Sequence, residues 1–320
     1  MRAAICTHYG PPESVTVTET AAPALEPGQV RVAVSAAAVN FPDVLLVAGR
    51  YQVTVPPPFI VGSEFAGVVT ELGPGTGDLT LGSRVTGTAM VGAFAEQVCL
   101  PAGTLAPIPD TLGDATAVAG GVAYRTAYHC LRSVARVRAG DELIVLGAGS
   151  GVGLAAVALG TALGARVTAV ASSDEKLAAA AQQGAAEVIN HRQGNLKEAL
   201  KTAVPERAAA VIDPVGGTLS EPALRALGRG GRFVTVGYAS GTIPSIPLNL
   251  VLVKGISIVG FGFQDVPKEE FARNEAELVK LLGDGTVVPQ IGARYPLART
   301  AEALRLVADG RAVGKVLIEI

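Results

Sequence analysis

Three cysteines in 320 residues, Cys6, Cys99 and Cys130, give the chain no paired spacing for a metal or redox motif. An odd, widely spread set supplies no disulfide framework, and all three read as reduced, small apolar fillers. Charge of one sign is also missing: 26 basic against 28 acidic residues leave a formal net charge of −2. That balance gives no footprint for nucleic acid or an anionic membrane. No long apolar stretch follows Met1-Arg2-Ala3-Ala4-Ile5-Cys6, so a secretory signal is not expected and a cytoplasmic location is. There is no Ser/His pair set for nucleophilic catalysis, no Tyr-x-x-x-Lys, and no internal repeat. Residues 143–165 are uncharged for long enough to raise a membrane span. The alternating glycines 147–153 break that run into strand and helix, and Pro244 and Pro247 cut a second one at 233–253.

What is present is organised around residues 141–192. Residues 142–146 form a short apolar strand, and Gly147-Ala148-Gly149-Ser150-Gly151-Val152-Gly153 follows, with glycines where a backbone must approach a pyrophosphate closely. A helix over 154–163 would turn its N-terminal N–H groups and positive dipole end toward that turn, which suits a diphosphate. A second strand over 166–171 ends about 20 residues past the turn, where the residue that meets the adenine ribose belongs. An NAD site carries Asp or Glu there, whereas this chain has Ala171-Ser172-Ser173 and then Lys176. A phosphate monoester bears roughly −1.5 to −2 charges near neutrality, so two hydroxyls and a cation suit a 2′-phosphate, and NADPH is the expected cofactor. Asp174 reads as the N-cap or first-turn acid of a helix over 175–183, directed away from the ribose.

Ahead of this unit, residues 1 to about 120 hold β-branched runs at 15–18, 30–34, 67–71, 84–88 and 95–100, broken by Gly and Pro turns, which reads as a β-rich domain. Residues 114–131 read as a helical bridge. Strands at 188–190, 209–213, 232–236 and 256–259, with a helix over 219–227, continue the alternation and argue a parallel, doubly wound sheet. Amphipathic helices over 268–283 and 298–309 and a closing strand over 313–319 are expected to return to the first domain. The expected division is therefore 1–122 with 264–320 against 123–263.

Val39-Asn40-Phe41-Pro42-Asp43 with Gly49-Arg50-Tyr51, Gly62-Ser63-Glu64-Phe65-Ala66-Gly67-Val68-Val69, Gly151-Val152-Gly153-Leu154-Ala155-Ala156, the run Gly184 to Arg192 and Gly230-Gly231-Arg232-Phe233 are spread over nearly the whole chain. In these motifs the sequence resembles the zinc-independent quinone oxidoreductases of the medium-chain dehydrogenase/reductase superfamily, whose mammalian members include zeta-crystallin. The resemblance implies an α/β fold: a GroES-like β-barrel catalytic domain plus a Rossmann domain with a doubly wound parallel sheet, the active site lying in the cleft. It also implies a homodimer made by pairing of the apolar strand at 256–259. Zinc dehydrogenases of the superfamily are similar too, but carry Cys where Asn40 stands, His where Ser63 stands and Cys near Val122, so no metal is expected here. Ser150 departs from the glycine usual in the family. Its hydroxyl either adds a donor to the pyrophosphate or is tolerated where no positive φ is needed.

Without a metal, hydrogen bonds must polarise the acceptor, and the resemblance places Asn40 and Tyr51 as the catalytic pair. A phenol keeps its proton near neutrality and can donate to a developing oxyanion. Tyr51 also fits an aromatic packed under a loop, and Asn40 a side chain tying down the turn before Pro42; Asp43 and Glu64 read as structural. For the cofactor the resemblance adds Thr126, the turn residues Gly149, Ser150, Gly151 and Val152, and Val236, Gly237 and Phe261 at strand ends near the nicotinamide. His191 and Arg311 match positions on the 2′-phosphate side with Ser172, Ser173 and Lys176, and fit solvated surface residues equally. Quinones and α,β-unsaturated carbonyls take up hydride to give a delocalised oxyanion, so such a small-molecule substrate needs no strong acid–base dyad. Two other functions stand beside NADPH-dependent reduction of a quinone or enone: a crystallin-like or sensor protein that binds NADPH with little turnover, and an enoyl-thioester reductase.

Overall fold

A computed structural model describes residues 1–320. The chain divides into two units, Met1–Val122 with Ile291–Ile320, and Ala123–Gln290. The first unit contains β1 (Arg2–Cys6), β2 (Val15–Glu19), β3 (Gln29–Val39), β4 (Phe59–Ile60), β5 (Glu64–Leu72), β6 (Arg84–Thr88), β7 (Gln97–Pro101) and β8 (Leu105–Pro107), with helices α1 (Phe41–Val47) and α2 (Asp114–Ala119). Helix α3 (Val122–His129) starts on the last residue of the first unit's long segment and runs into the second, followed by β9 (Glu142–Leu146), α4 (Gly151–Ala162), β10 (Arg166–Ala171), α5 (Asp174–Gln182), β11 (Glu187–Asn190), α6 (Leu196–Ala203), β12 (Ala208–Asp213), α7 (Ser220–Ala226), β13 (Leu227–Thr235), α8 (Leu248–Lys254), β14 (Ser257–Gly260) and α9 (Lys268–Gly283). The chain then returns to the first unit as β15 (Ile291–Pro296), α10 (Thr300–Ala308) and β16 (Lys315–Glu319).

Strand β3 is the spine of the first unit. Its alternating Val30, Val32 and Val34 point into the core, as a period of two requires, and it pairs with β5, β7 and β16. Antiparallel pairing sets Val316 opposite Val39, which brings the start of β16 beside the residue that follows β3. In the second unit six parallel strands run in the order β11-β10-β9-β12-β13-β14. The order reverses beside β9, and the crevice outside the carboxyl ends at such a reversal is where these sheets take ligands.

Several sequence expectations are revised here. The bridge at 114–131 is two helices, because Gly120 ends α2 and a Cβ on Gly121 would run into the Glu64 carboxylate. The helix after the glycine turn begins at Gly151 rather than 154, since Ser150 caps it. Helix α9 belongs to the second unit, not the first. Its Phe271 ring stacks on His129 at 4.7 Å, Glu275 pairs with Arg125 at 2.7 Å, and Glu277 accepts from the Tyr128 hydroxyl at 2.6 Å. Helices α1, α6 and α8 have no counterpart among the elements expected from the sequence. Pro42, which looks like a turn residue, is at home in the first turn of α1, where an N–H has no partner to lose.

Candidate functional site

The glycine turn follows β9, the first strand of the second unit's sheet. Gly147 takes a left-handed φ of 61°. The Ser150 hydroxyl donates to the Gly147 carbonyl at 2.8 Å and accepts the Gly153 N–H at 3.1 Å, while the Ser150 N–H also reaches the Gly147 carbonyl, at 2.9 Å. Ser150 has an extended backbone, φ −82°, so a residue other than glycine is tolerated there as one of the two expectations had it; its hydroxyl shapes the turn, and its proton is committed to the Gly147 carbonyl rather than held for a pyrophosphate. The N–H groups of Gly151 and Val152, in the first turn of α4, precede any helical acceptor and remain for an anion. A Cβ on Gly153 would collide with the Gly147 carbonyl, and one on Gly149 with the methylenes of Lys176. The turn is a cradle closed on one side by a lysine.

That lysine belongs to a cluster at the end of β10. Ser173 is the N-cap of α5, its hydroxyl accepting the Lys176 N–H at 3.4 Å, and Asp174 is the first-turn acid. Asn190 donates to Asp174 at 3.0 Å and holds it on the β11 side. The His191 N–H donates to the Ala171 carbonyl at 3.0 Å, which ties His191 next to Ser172. Burial, and then the Arg192 guanidinium, push the Lys176 ammonium below its ordinary value. Burial depresses His191 as well, with Arg192 and Lys176 adding to it. Mutual repulsion of this kind is relieved by an anion, and Ser172 and Ser173 supply hydroxyls beside it.

The other cofactor candidates divide. Thr126 lies half-buried on α3. The N–H groups of Val236 and Gly237 both donate to the Asp213 carbonyl, at 2.8 and 3.4 Å, so only their carbonyls could meet a nicotinamide amide. The ring of Phe261 is spent in an aromatic cluster, 4.9 Å from Phe263 and 6.2 Å from His129. Arg311 lies in the first unit, exposed and paired with Asp309 at 3.0 Å. Sequence reasoning missed Asp213. Its buried carboxylate accepts from Val215 and Gly216 at 2.8 Å and from the Ser220 hydroxyl at 2.6 Å, fixing the loop whose Val215 covers Gly147.

In the first unit the expected catalytic Asn40 sits in a buried polar network. Its Oδ1 accepts from the Lys315 ammonium at 2.7 Å, and its Nδ2 donates to Glu64 at 3.0 Å. Glu64 also receives Lys315 at 3.3 Å and, through its other oxygen, the Val122 N–H. Asp43 accepts the Asn40 backbone N–H at 2.8 Å at the start of α1, and its Oδ1 has no partner. Burial pushes the Asp43 carboxyl up to about 7, against the opposing pull of that N–H. Tyr51 packs on the core of this unit after the tight turn at Gly49, φ 64°, over which the Tyr9 ring lies. Lys315 was not singled out from the sequence, although a lysine opening the apolar strand Val316-Leu317-Ile318 was the available signal.

A Rossmann sheet with a nucleotide cradle and a β-rich partner unit, in one chain, define a dehydrogenase/reductase of the medium-chain type. Residues 26–110 match the alcohol dehydrogenase GroES-like domain, and residues 151–280 match the zinc-binding dehydrogenase family. Quinone oxidoreductase-like protein 2 of Rattus norvegicus is 36% identical over 324 residues, covering 100% of this chain and 92% of the relative. Human quinone oxidoreductase is 33% identical, covering 99% of this chain and 97% of its own. The crystal structure of Escherichia coli quinone oxidoreductase complexed with NADPH superposes with a TM-score of 0.92 at 26% identity, covering 100% of both chains. The chain belongs to the quinone oxidoreductase family of the medium-chain dehydrogenase/reductase superfamily, a family of oxidoreductases.

Proposed function

We propose that the chain is an NADPH-dependent, zinc-independent reductase of quinones or α,β-unsaturated carbonyls. The observation that carries this is Lys176 lying over Gly149 with His191 and Arg192 beside it, so that one cluster flanks both the pyrophosphate cradle and the place of the ribose phosphate. Gly151 and Val152 would bind the diphosphate through backbone N–H groups; Ser172, Ser173, Lys176 and His191 would bind the 2′-phosphate. When bound, NADPH supplies a hydride. Tyr51 would donate its phenol proton to the acceptor oxygen as negative charge grows there, its hydroxyl having no partner in the chain. Asn40 would add its second Nδ2 hydrogen, which makes only long bonds of 3.5 Å to Ser63 Oγ and Ala38 O and could exchange them for the acceptor.

Zinc does not fit the donor set. An amide, a hydroxyl and a valine stand at the three ligand places, an ammonium lies 2.7 Å from the amide oxygen, and no group of three His, Cys, Asp or Glu converges to hold an ion. Alcohol oxidation, which needs a group to take up the hydroxyl proton, is therefore not expected. The test is an acceptor panel of quinones, enones and alcohols offered with NADPH and with NADH. Oxidation of NADPH by a quinone or enone, undiminished by a chelator, supports the reading; turnover confined to alcohols, lost on chelation, overturns it.

For assembly, we propose a twofold dimer through β14. This strand is the edge of the six-stranded sheet, and Ile258 on it is 38% exposed. Unpaired apolar edges invite pairing with a copy of themselves. Light scattering should give twice the mass of 32.3 kDa, and Ile258→Lys should return it to one chain. A monomeric wild type at micromolar concentration contradicts the dimer.

A further inference from the structure

The buried ammonium of Lys315 has no part in the chemistry above, yet it touches a residue that does. Lys315 is 2% exposed and Glu64 1%. The register of β16 on β3 delivers Lys315 to Asn40, and the two join Glu64 in a closed ring. Lys315 donates to Asn40 Oδ1 at 2.7 Å, Asn40 Nδ2 donates to Glu64 Oε2 at 3.0 Å, and Glu64 Oε2 accepts from Lys315 at 3.3 Å. The Val122 N–H holds the far oxygen of Glu64, so the ring cannot relax by swinging the carboxylate away.

An asparagine amide has two orientations that differ only by exchange of oxygen and NH₂. Here the reversed one would set the NH₂ against an ammonium and the oxygen against a carboxylate, turning two attractive contacts into two repulsive ones. A buried ion pair adds little net stability over apolar packing of the same volume. What this pair adds is direction. We infer that Lys315 is a positioning residue: with Glu64 it locks the Asn40 carboxamide so that an N–H, and not the carbonyl, is offered to the acceptor oxygen. The inference rests on the proposed role of Asn40 as a donor and on nothing about the cofactor.

Lys315→Met removes the lock but leaves Glu64 buried and uncompensated, so it is paired with the double variant Glu64→Gln/Lys315→Met. The double variant buries no charge at either position, and the glutamine amide it introduces offers both donor and acceptor, so it no longer discriminates between the two orientations. With NADPH and a quinone the wild type turns over, both variants should lose kcat by about tenfold, and KM for NADPH should stay within about twofold. Either change made on top of Asn40→Ala should cost nothing further. Equal losses with and without the Asn40→Ala substitution, or a folded double variant with wild-type kcat, overturn the inference. NMR of the Asn40 side-chain amide in isotope-labelled protein reads the lock without turnover: two separate protons in the wild type should shift and broaden by exchange in the double variant. If no acceptor is reduced by the wild type, the functional reading fails on its own. In that event, an Asn40 amide pair that stays sharp in the double variant overturns the lock as well, and one broadened by exchange upholds it.

Discussion

The two units deploy charge in opposite ways. In the second, Lys176, His191 and Arg192 crowd together, and burial and mutual repulsion depress the first two. In the first, the Lys315 ammonium and the Glu64 carboxylate are buried together and satisfy one another and Asn40, while Asp43 accepts the Asn40 N–H and keeps one orphan atom, Oδ1. A cluster of like charges is a site for something that arrives. A self-neutralised network fixes side chains already in place. The difference separates recognition from alignment, and each half can be broken without the other.

The largest effect is expected where the cradle has no room. Gly153→Ala would drive a Cβ into the Gly147 carbonyl and force the turn off α4. Loss of nucleotide affinity by on the order of a hundredfold or more is expected for NADPH and NADH alike, because both share the diphosphate. Fluorescence titration would show it; wild-type affinity in a folded variant would remove the turn from the site.

The first unit's network should reveal itself in the pH dependence of stability. The Asp43 carboxyl ionises at 3.8 when free and at about 7 when folded, so folding takes up a proton between those values. Stability is then greatest below the lower value and falls as pH rises through the upper one, on the order of 1.4 kcal/mol per unit across the window. Asp43→Asn should flatten that slope in urea unfolding measured at several pH values. An identical slope in the variant would mean that Asp43 is ionised in the folded state.

Between the two units, the second was far more legible in the sequence. Its strands at Glu142–Leu146 and Arg166–Ala171 were placed to the residue, because the turn, the cap and the cations after it are all local signals. The first unit's network was not legible, since Asn40, Glu64 and Lys315 meet only through the pairing of β3 with β16 and the turn into β5. Other features were left open or misread for the same reason. Of the two roles open for Ser150, only its partners Gly147 and Gly153 could remove the donor, and α9 looked like a returning helix until Phe271 was seen against His129.

Of the catalytic candidates, Tyr51 is expected to show the larger share of any loss in rate. Tyr51→Phe should lower kcat by roughly ten to a hundredfold, about 1.4–2.7 kcal/mol, with NADPH affinity little altered. An unchanged kcat, with a deuterated cofactor showing hydride transfer to be rate-limiting, would leave the acceptor oxyanion to other groups.

The smallest effect is the most direct test of how the second unit recognises its cofactor. Lys176→Ala, titrated calorimetrically with NADPH and NADH side by side, should weaken NADPH by about tenfold, or 1.4 kcal/mol, and leave NADH almost unchanged. Equal losses for the two would contradict a 2′-phosphate site at Ser172, Ser173 and Lys176.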